Sequence, residues 1–575
     1  MEESRRVESM PPQPRLRPRR VGADLVSRPP WLLALIVSAA FGAAYLLVAP
    51  ASGDLAAASY RSWLFSHAGL TIWDNGWYGG HYMPAYSLLS PELGAWLGPR
   101  LACVLASVLA AVLFALLIDG RFAARSTRLA AAWFAFGLGI ELVSARVAFD
   151  IGLALGLGAL LAASRGRRVT ALALGVLSSL GSPVAGAFLG LACLAWALSG
   201  LGARPPRRRE RVRGSTVPGT PADGQTTPGR AFAIALAASA LAPIALLALA
   251  FPEGGTQPYA ASSFWPEAAL VVVIFALLPR AERTLRLGVA LYGALLLSAF
   301  VIASPLGSNA ERLGALAAAP LAACVLLARR PRALLALAPA LILWQVISAA
   351  EDLSAAASDP SVRQAYYAPL LGRLRVLGAL DPARPVRIEI VPTLVHWDAR
   401  WVAPDVELAR GWERQLDREH DALFYRSAPL TAAGYATWLR SEAISYVALP
   451  DAPLDSSALA EAALLRRELP GYLRQVWHYA HWHLFAVLDA QPLVSGLGRV
   501  PSLTTDSFTL NAPQPGTFTV RVRFTPYWAL ESGAGCVQRS ARGWTEVRAN
   551  VAGSLHVGIA FSVTRIFDHG PRCRR

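Results

Sequence analysis

The sequence predicts a polytopic α-helical membrane protein with a large C-terminal region outside the membrane, and three observations support this fold class. The mean hydropathy is +0.40 and 54% of the 575 residues are hydrophobic, which is too apolar for an ordinary soluble protein. Eleven apolar stretches lie between Trp31 and Ala350. Arginine clusters occupy every second connection between them, and arginine-rich loops stay in the cytoplasm.

This arginine pattern also predicts how the chain is oriented in the plasma membrane. The basic tail, residues 1–30, is expected in the cytoplasm, and an odd number of crossings then places everything after residue 350 on the extracytoplasmic side. The segment 201–229 is rich in Arg, Pro, Gly and Thr, and we expect it to be a disordered cytoplasmic loop. The only arginines in the connections expected outside are Arg61, Arg100, Arg146 and Arg312.

The apolar stretches define a transmembrane domain over residues 31–350. Several are short for a complete crossing, which needs about twenty residues, so tilted, re-entrant or misdivided spans remain open alternatives. The predicted spans are 31–49, 94–118, 127–143, 148–164, 168–182, 184–200, 231–251, 266–279, 286–303, 313–328 and 333–350.

Beyond residue 350 the pattern changes to that of soluble domains. Residues 351–500 are predicted to form an α/β domain, and residues 501–575 an antiparallel β-sandwich. The α/β prediction depends on strands at 385–393, 444–449 and 483–488 and on helices at 431–441 and 456–468. The sandwich prediction depends on alternating runs at 507–510, 517–524, 545–551 and 554–563.

The five cysteines divide between the two regions. Cys103, Cys193 and Cys324 lie in apolar stretches and are expected to be small core residues. Cys536 and Cys573 lie in the region predicted outside, where disulfides persist, so we expect them to pair; two unpaired thiols are the alternative. A net charge of +16 is accounted for by the predicted cytoplasmic segments, so nucleic acid is not an expected partner.

The connection over residues 50–93 is much longer and more aromatic than a helix connection requires. Sugars present apolar faces and a rim of hydroxyls, so aromatic rings beside carboxylates and amides predict a sugar site. An aromatic belt at the membrane surface is the alternative. The residues concerned are Trp63, Trp73, Trp77, Tyr78, Tyr82 and Tyr86, with Asp54, Asp74, Asn75 and His81.

Further polar residues lie at the predicted outer ends of the spans. Asp54 follows the first span, where a carboxylate facing a cavity is able to take a proton from an acceptor hydroxyl; helix N-capping is the alternative role. Glu141, Arg146 and Asp150 bracket a short outer connection and predict an ionic network or, through Arg146, phosphate binding. Asn309, Glu311 and Arg312 follow a later span, with Arg312 either at a phosphate or acting as an anchor. No nucleotide-binding glycine loop or metal-binding cysteine set occurs in the sequence.

An acidic residue just after the first span, in a long outer loop ahead of many spans and an outer domain, resembles the GT-C class of integral-membrane glycosyltransferases. The chain also resembles bacterial membrane proteins described as 6-pyruvoyl-tetrahydropterin synthase-related and the YfhO-like proteins. The stretches that carry this second likeness are WDNGWYGGHYMPAYSLLSP (73–91), PLGSNAERL (305–313), LARGWERQLD (408–417) and FTPYW (524–528).

The resemblance implies transfer of a sugar from a polyprenyl-phosphate carrier to a glycan, lipid or protein acceptor, with Asp54 matching the catalytic carboxylate. The chain lacks the common second acid close to Asp54, since Asp74 is the next acidic residue, so a divalent metal is possible but not assigned. Asp74 and His81 are expected to position acceptor or sugar in a cavity shared with Asp54. A transporter or flippase of lipid-linked glycans and a non-catalytic envelope assembly protein are the alternative functions.

Overall fold

The computed structural model describes residues 29–200, 229–467, 469–567 and residue 573. The predicted cytoplasmic tail, except for its last two residues, and the predicted cytoplasmic loop, except for Gly229, lie outside the described residues. The described chain forms a layer of apolar helices, then a mixed α/β domain and then a strand-rich domain.

Helices occupy all eleven of the apolar stretches, and two more lie in the long connection after the first. In chain order they are α1 (Pro30–Val48), α2 (Gly53–Ala68), α3 (Ser90–Leu97), α4 (Pro99–Ile118), α5 (Ala124–Glu141), α6 (Val147–Ser164), α7 (Arg168–Gly181), α8 (Pro183–Ser199), α9 (Arg230–Ala250), α10 (Ala261–Leu277), α11 (Arg283–Val301), α12 (Glu311–Arg329) and α13 (Pro331–Ala357). Within the described ranges seven are long and apolar enough to cross a membrane, namely α1, α4, α6, α9, α11, α12 and α13. Helices α7, α8 and α10 are apolar but shorter.

Proline and small residues explain where these helices begin and how closely they pack. Helices α1, α4, α8 and α13 begin at a proline, whose missing N–H has no partner in a first turn anyway. The turn between α7 and α8 is the single residue Ser182, which caps α8 by accepting from the Ala185 N–H at 3.4 Å. Ser178 of α7 donates to the Gly152 carbonyl of α6 at 2.8 Å, because glycine lets the two backbones approach.

The α/β domain continues directly from the helices. Its elements are α14 (Gln364–Val376), β3 (Arg387–Ile390), α15 (Asp398–Trp401), β4 (Glu407–Leu408), α16 (Arg414–His420), α17 (Ala432–Ser441), β5 (Ile444–Pro450), α18 (Leu459–Arg467), β6 (Leu473–Tyr479) and β7 (Trp482–Val487). The sheet order is β4-β3-β5-β7-β6. Strand β3 is parallel to its neighbours β4 and β5, whereas β7 is antiparallel to its neighbours β5 and β6. Central strand β3 is buried along its whole length, as expected for a strand with parallel neighbours on both sides.

The strand-rich domain contains two antiparallel sheets around one apolar core. Its elements are β8 (Arg499–Leu503), β9 (Ser507–Ala512), β10 (Gly516–Arg523), β11 (Trp528–Ser532), β12 (Gly535–Arg539), β13 (Trp544–Ala549), β14 (Gly553–Ile559) and α19 (Val563–Phe567). The sheet orders are β10-β13-β12 and β11-β14-β9-β8. Phe508, Val520 and Val547 meet in the core between the sheets.

Cys536 on β12 is joined by a disulfide to Cys573, the pairing expected from the sequence, and their Cα atoms are 5.3 Å apart. The bond closes a loop with a sequence separation of 37 residues, which corresponds to a stabilisation of about 3–4 kcal/mol in the chain-entropy treatment.

We therefore expect Cys536→Ser to lower the thermal stability of the strand-rich domain. Reductant should lower the stability of the wild-type protein and leave the variant unchanged; equal sensitivity to reductant in both would contradict this.

Candidate functional site

Asp54 and Arg146 form the centre of a charged group where the helices meet the α/β domain. The N-cap of α2 is Ser52, so Asp54 lies in the first helical turn and does not take the capping role that was the alternative. The Arg146 guanidinium lies 3.3 Å from the Asp54 carboxylate and 2.7 Å from that of Glu141. It also donates to Ser348 of α13 at 3.0 Å. A quarter of the Asp54 side chain remains exposed, so the carboxylate is oriented and still accessible.

Asp150 lies apart from this group. It is buried in α6 and accepts from Cys103 at 3.1 Å and Ser107 at 2.9 Å, both on α4. The ionic network predicted for Glu141, Arg146 and Asp150 is therefore formed with Asp54 in place of Asp150. Asp150 holds α4 against α6.

Arg312 lies in the first turn of α12, within electrostatic range of Asp54, Arg146 and Tyr86. Its guanidinium is 5.5 Å from the centre of the Phe149 ring. Among the described residues it has no carboxylate within ion-pairing distance. Asn309 is half-buried in the 3-10 turn before α12, and Glu311 is the first residue of that helix. Arg312 is thus a cation within electrostatic range of Asp54 that forms no ion pair among the described residues.

The long connection after α1 contains a small hairpin of β1 (Trp73–Asp74) and β2 (His81–Tyr82). The Trp77 ring at its tip is fully buried and stacks on Tyr60 at 4.5 Å and on His81 at 5.2 Å. Tyr78, Gly79 and Gly80 all have positive φ. Glycine is required at the last two positions, because a Cβ would meet the Arg387 guanidinium at Gly79 and the Trp73 ring at Gly80.

Backbone hydrogen bonds join this hairpin to both C-terminal domains. Residues 76–78 extend the α/β sheet beside β4, since Leu408 donates to the Gly76 carbonyl at 3.0 Å and accepts from the Tyr78 N–H at 3.1 Å. On the other side, the Asn75 N–H donates to Thr505 of the strand-rich domain at 2.8 Å. The hairpin is therefore the joint at which all three parts of the protein meet.

A cavity of about 330 Å³ opens at this joint. Its walls come from α2, the hairpin, the loops of the α/β domain and the β8–β9 turn, and they include Tyr60, Trp63, Asp74, Asn75, Asp381, Asp405, Glu407, Thr504 and Thr505. Asp54 and His81 are not among its lining residues. The expectation that Asp54 shares a cavity with Asp74 or His81 is therefore not met here, because the hairpin carries Asp74 into the three-part joint while Arg146 holds Asp54 elsewhere.

His81 is fixed inside the hairpin. Its Nδ1 is 3.1 Å from the Asp74 carbonyl oxygen, and its Nε2 has no hydrogen-bond partner among the described residues. Burial lowers the pKa of His81 to about 3, so the ring is neutral at physiological pH. The neutral, buried His81 ring packs against Trp77 and does not contact the ion pairs that Arg146 forms with Asp54 and Glu141.

Burial also changes the carboxyl groups of the cavity. It raises the pKa of Asp74 from 3.8 to about 6, although Tyr60 donates to its carboxylate at 2.9 Å and the Gly76 N–H at 3.0 Å. It raises the pKa of Glu407 from 4.5 to about 7, although Arg387 lies 3.3 Å away. Both acids titrate near neutral pH because desolvation outweighs their hydrogen bonds.

The raised pKa of Asp74 predicts how stability depends on pH. The folded state binds this proton more tightly than the unfolded state, so its contribution to stability is present below about pH 4 and is lost as the pH rises through about 6. The change from 3.8 to about 6 corresponds to roughly 3 kcal/mol at 1.36 kcal/mol per pKa unit. In thermal unfolding, the stability of the Asp74→Asn variant should therefore fall less than that of wild type when the pH is raised from acid to alkaline. Asp405→Asn, on the exposed rim, is the control, and identical pH profiles for wild type and Asp74→Asn would contradict the assignment.

Arg61 is a central residue that the sequence did not single out. It is 2% exposed, forms an ion pair with Glu413 of the α/β domain, and lies 3.9 Å from the centre of the Tyr86 ring. Its Nε and Nη1 atoms have no hydrogen-bond partner among the described residues. The sequence could not show this ion pair, because Glu413 lies 352 residues after Arg61. Its only signal was that Arg61 is one of few arginines in the connections predicted outside.

The segment LARGWERQLD divides between two environments. Trp412 and Glu413 lie against the helical part, where Trp412 is 6.1 Å from Tyr86 between ring centres and Glu413 pairs with Arg61. Arg410 and Arg414 instead form ion pairs inside the α/β domain, with Asp417 at 2.5 Å and Asp455 at 2.6 Å. Of the charged and aromatic residues Arg410, Trp412, Glu413 and Arg414, only Trp412 and Glu413 thus lie against the helical part.

No protein-family model, curated protein or solved structure matches this chain. In the described part of the chain, no three His, Cys, Asp or Glu side chains are grouped closely enough to hold a metal ion. The divalent metal that the sequence left possible therefore has no assigned ligands.

Proposed function

We propose that this protein is an integral-membrane glycosyltransferase that moves a sugar from a polyprenyl-phosphate donor to an envelope glycan, lipid or protein acceptor. The observation that carries the proposal is the accessible Asp54 carboxylate, which is oriented by Arg146 and lies within electrostatic range of the cation Arg312. A carboxylate that accepts a proton and a cation that receives a phosphate are the two groups that such a transfer requires.

The orientation in the membrane is part of the proposal. The eleven apolar helices cross the plasma membrane, with the N-terminus in the cytoplasm and both C-terminal domains outside, as the arginine distribution favours. Asp54, Arg146 and Arg312 then lie at the outer surface of the bilayer, where a lipid-linked phosphate resides. Asp150 is the fourth residue of α6 and belongs to the same end. This clustering at one end favours an enzyme over a transporter, whose polar groups gather near mid-membrane.

The reaction follows from these positions. The acceptor hydroxyl attacks the anomeric carbon and gives its proton to Asp54. The bond between that carbon and the phosphate oxygen breaks, and polyprenyl phosphate leaves with the electron pair. Arg312 stabilises the negative charge that develops on the phosphate, while Arg146 holds Asp54 in position. Inversion at the anomeric carbon is the expected stereochemical outcome.

The function is tested with the purified full-length protein in nanodiscs and a panel of polyprenyl-phosphate-linked sugars. We expect labelled sugar to appear in the acceptor while polyprenyl phosphate is released. Movement of intact lipid-linked sugar across vesicles without any covalent transfer would identify a transporter and overturn the proposal. Failure of every donor with every envelope acceptor would also contradict it.

Arg312→Gln is expected to weaken donor use. A charge-assisted hydrogen bond contributes about 1.5–3 kcal/mol, so kcat/KM for the donor should fall roughly tenfold to a hundredfold, with part of the loss in kcat because Arg312 stabilises the charge that develops on the leaving phosphate. Arg329→Gln is the matched control, since Arg329 lies at the opposite end of the same helix in a half-exposed pair with Glu282. Equal kinetics for the two variants would remove Arg312 from the phosphate site.

A further inference from the structure

The cavity at the three-part joint has the features of a ligand site that is separate from Asp54. Its volume of about 330 Å³ lies in the range of small-molecule pockets. It opens at a domain boundary, which is where such sites occur most often. Asp54 and Trp63 are nine residues apart on α2, which corresponds to about 13.5 Å along the helix axis at 1.5 Å per residue. The cavity is therefore distinct from the proposed reaction centre but close to it.

Two aromatic rings form one wall of this cavity. The rings of Tyr60 and Trp63 are 5.8 Å apart between centres and tilted by 31°. Tyr60 is held by stacking on Trp77 and by its hydrogen bond to Asp74, so its ring is fixed before any ligand arrives. Adjacent rings in fixed positions suit the apolar face of a sugar ring.

The polar groups beside these rings are equally fixed. The Asn75 side chain accepts from the Trp73 indole at 2.8 Å and donates to the Thr504 carbonyl at 2.8 Å. Asp74 is held by Tyr60 and the Gly76 N–H. These bonds fix the wall of the cavity, so it loses little conformational entropy when a ligand binds.

The charge of the lining excludes one class of ligand. Four acidic side chains line the cavity, from Asp74, Asp381, Asp405 and Glu407, and no Arg or His is among its lining residues. Glu407 is paired with Arg387, but Asp381 and Asp405 have no ion-pair partner among the described residues and would repel a phosphate or a uronic acid, so the donor phosphate belongs with Arg312 and not in this cavity. Neutral sugars and sugars with a free amine are compatible with the lining.

We propose that this cavity binds a neutral or amino-bearing saccharide unit of the acceptor. The acceptor role rests on the proposed glycosyltransferase function, but saccharide binding itself does not. The half-buried Trp63 ring, which packs beside the buried Tyr60 ring, contacts the apolar face of the sugar, Thr505 binds its hydroxyls, and the carboxylates select against acidic sugars.

The test measures binding of glucose, glucosamine and glucuronate to the full-length protein in nanodiscs by ligand-observed NMR. Glucose and glucosamine should bind, and glucuronate should not. Trp63→Ala should weaken binding about twofold to tenfold, which corresponds to about 0.5–1.5 kcal/mol of ring stacking, and Trp63→Phe should retain most of it. Tyr479→Ala, which changes an exposed ring that is not among the lining residues, is the control and should bind as wild type.

The other outcomes are equally decisive. Absence of sugar binding, or binding that Trp63→Ala does not change, overturns the proposal. Binding of trilysine in preference to the sugars identifies a site for basic peptides instead. Saccharide binding should persist in Asp54→Asn; if it persists while no transfer is ever found, the saccharide site stands and the proposed enzyme function fails.

Discussion

Replacing Asp54 by asparagine is expected to lower the rate of sugar transfer by about 10²–10⁴-fold, the usual contribution of a general base. Asparagine has the same shape and keeps one oxygen towards Arg146, but it cannot accept the acceptor proton at neutral pH. The loss should therefore fall on kcat, with the KM for the donor changed little. The measurement is single-turnover transfer from the polyprenyl-phosphate donor by purified protein.

Glu282→Gln is the matched control for this variant. Glu282 also pairs with an arginine, Arg329, at the end of the helices opposite to Asp54, and its side chain is 30% exposed. The control should transfer sugar as wild type does, and both variants should show wild-type thermal unfolding. A wild-type rate for Asp54→Asn would exclude Asp54 as the base.

Arg410→Met is expected to destabilise the α/β domain by about 3–5 kcal/mol, the cost of breaking a buried ion pair by removing one partner. Arg410 donates to both oxygens of Asp417, at 2.8 and 2.5 Å, and to Ser457 at 2.7 Å. It also faces Glu461 at 3.5 Å and Glu389 at 3.9 Å. Methionine fills the volume but leaves these buried acids without their only close cation among the described residues.

The pH dependence of this variant follows from its acids. Burial raises the pKa of Glu461 from 4.5 to about 7 and, together with repulsion by Glu461, raises that of Glu389 well above its usual range. Protonation removes the repulsion, so Arg410→Met should begin to recover stability as the pH falls through about 7 and should recover most of it below the unfolded-state pKa of about 4.5. Limited proteolysis and thermal unfolding of the full-length protein measure both effects.

Arg414→Met separates this effect from a general loss of charge. Arg414 lies four residues away in the same segment and pairs with Asp455 at 2.6 Å, but 38% of its side chain is exposed. Asp455 is buried but keeps the Ser457 N–H and His396 as partners when Arg414 is replaced, so this control should lose clearly less stability than Arg410→Met. Equal stabilities for the two variants would show that the buried network is not what holds the domain together.

The elements that the sequence predicted well are those whose environment is uniform along their length. The apolar stretches became helices, and strands β3, β5, β7, β9, β10, β13 and β14 lie at or near the predicted runs. The strands that were not predicted all lie in the two-stranded hairpin or at sheet edges, namely β1, β2, β4, β6, β8, β11 and β12. An edge strand has one partner and a less regular burial pattern, and β8 also contains Pro501, which edges tolerate. Such strands leave a weak alternating signal.

The sequence identified residues of the candidate site only where the contacting residues are close in the sequence or lie at the same end of the predicted spans. Asp54, Glu141, Arg146 and Arg312 were identified from their positions at span ends, and they lie near one another. Glu407 and Arg61 were not identified, because their importance depends on contacts between distant segments. The association of His81 with Asp54 failed for the same reason, since the hairpin turns His81 inwards onto Trp77.

The hairpin at the joint also has a consequence for biogenesis. Ala399, whose carbonyl accepts from the Trp77 indole, is made 322 residues after it, and Thr504 is made 429 residues after Asn75. At 5–20 residues per second, roughly 15–65 s of translation separate Trp77 from its partners in the α/β domain. During that interval the aromatic tip has only nearby residues of its own connection, such as Tyr60 and His81, as partners, and the bilayer interface is the surface on which such rings rest. We expect nascent chains that stall before residue 399 to display this tip and to be removed by membrane proteases.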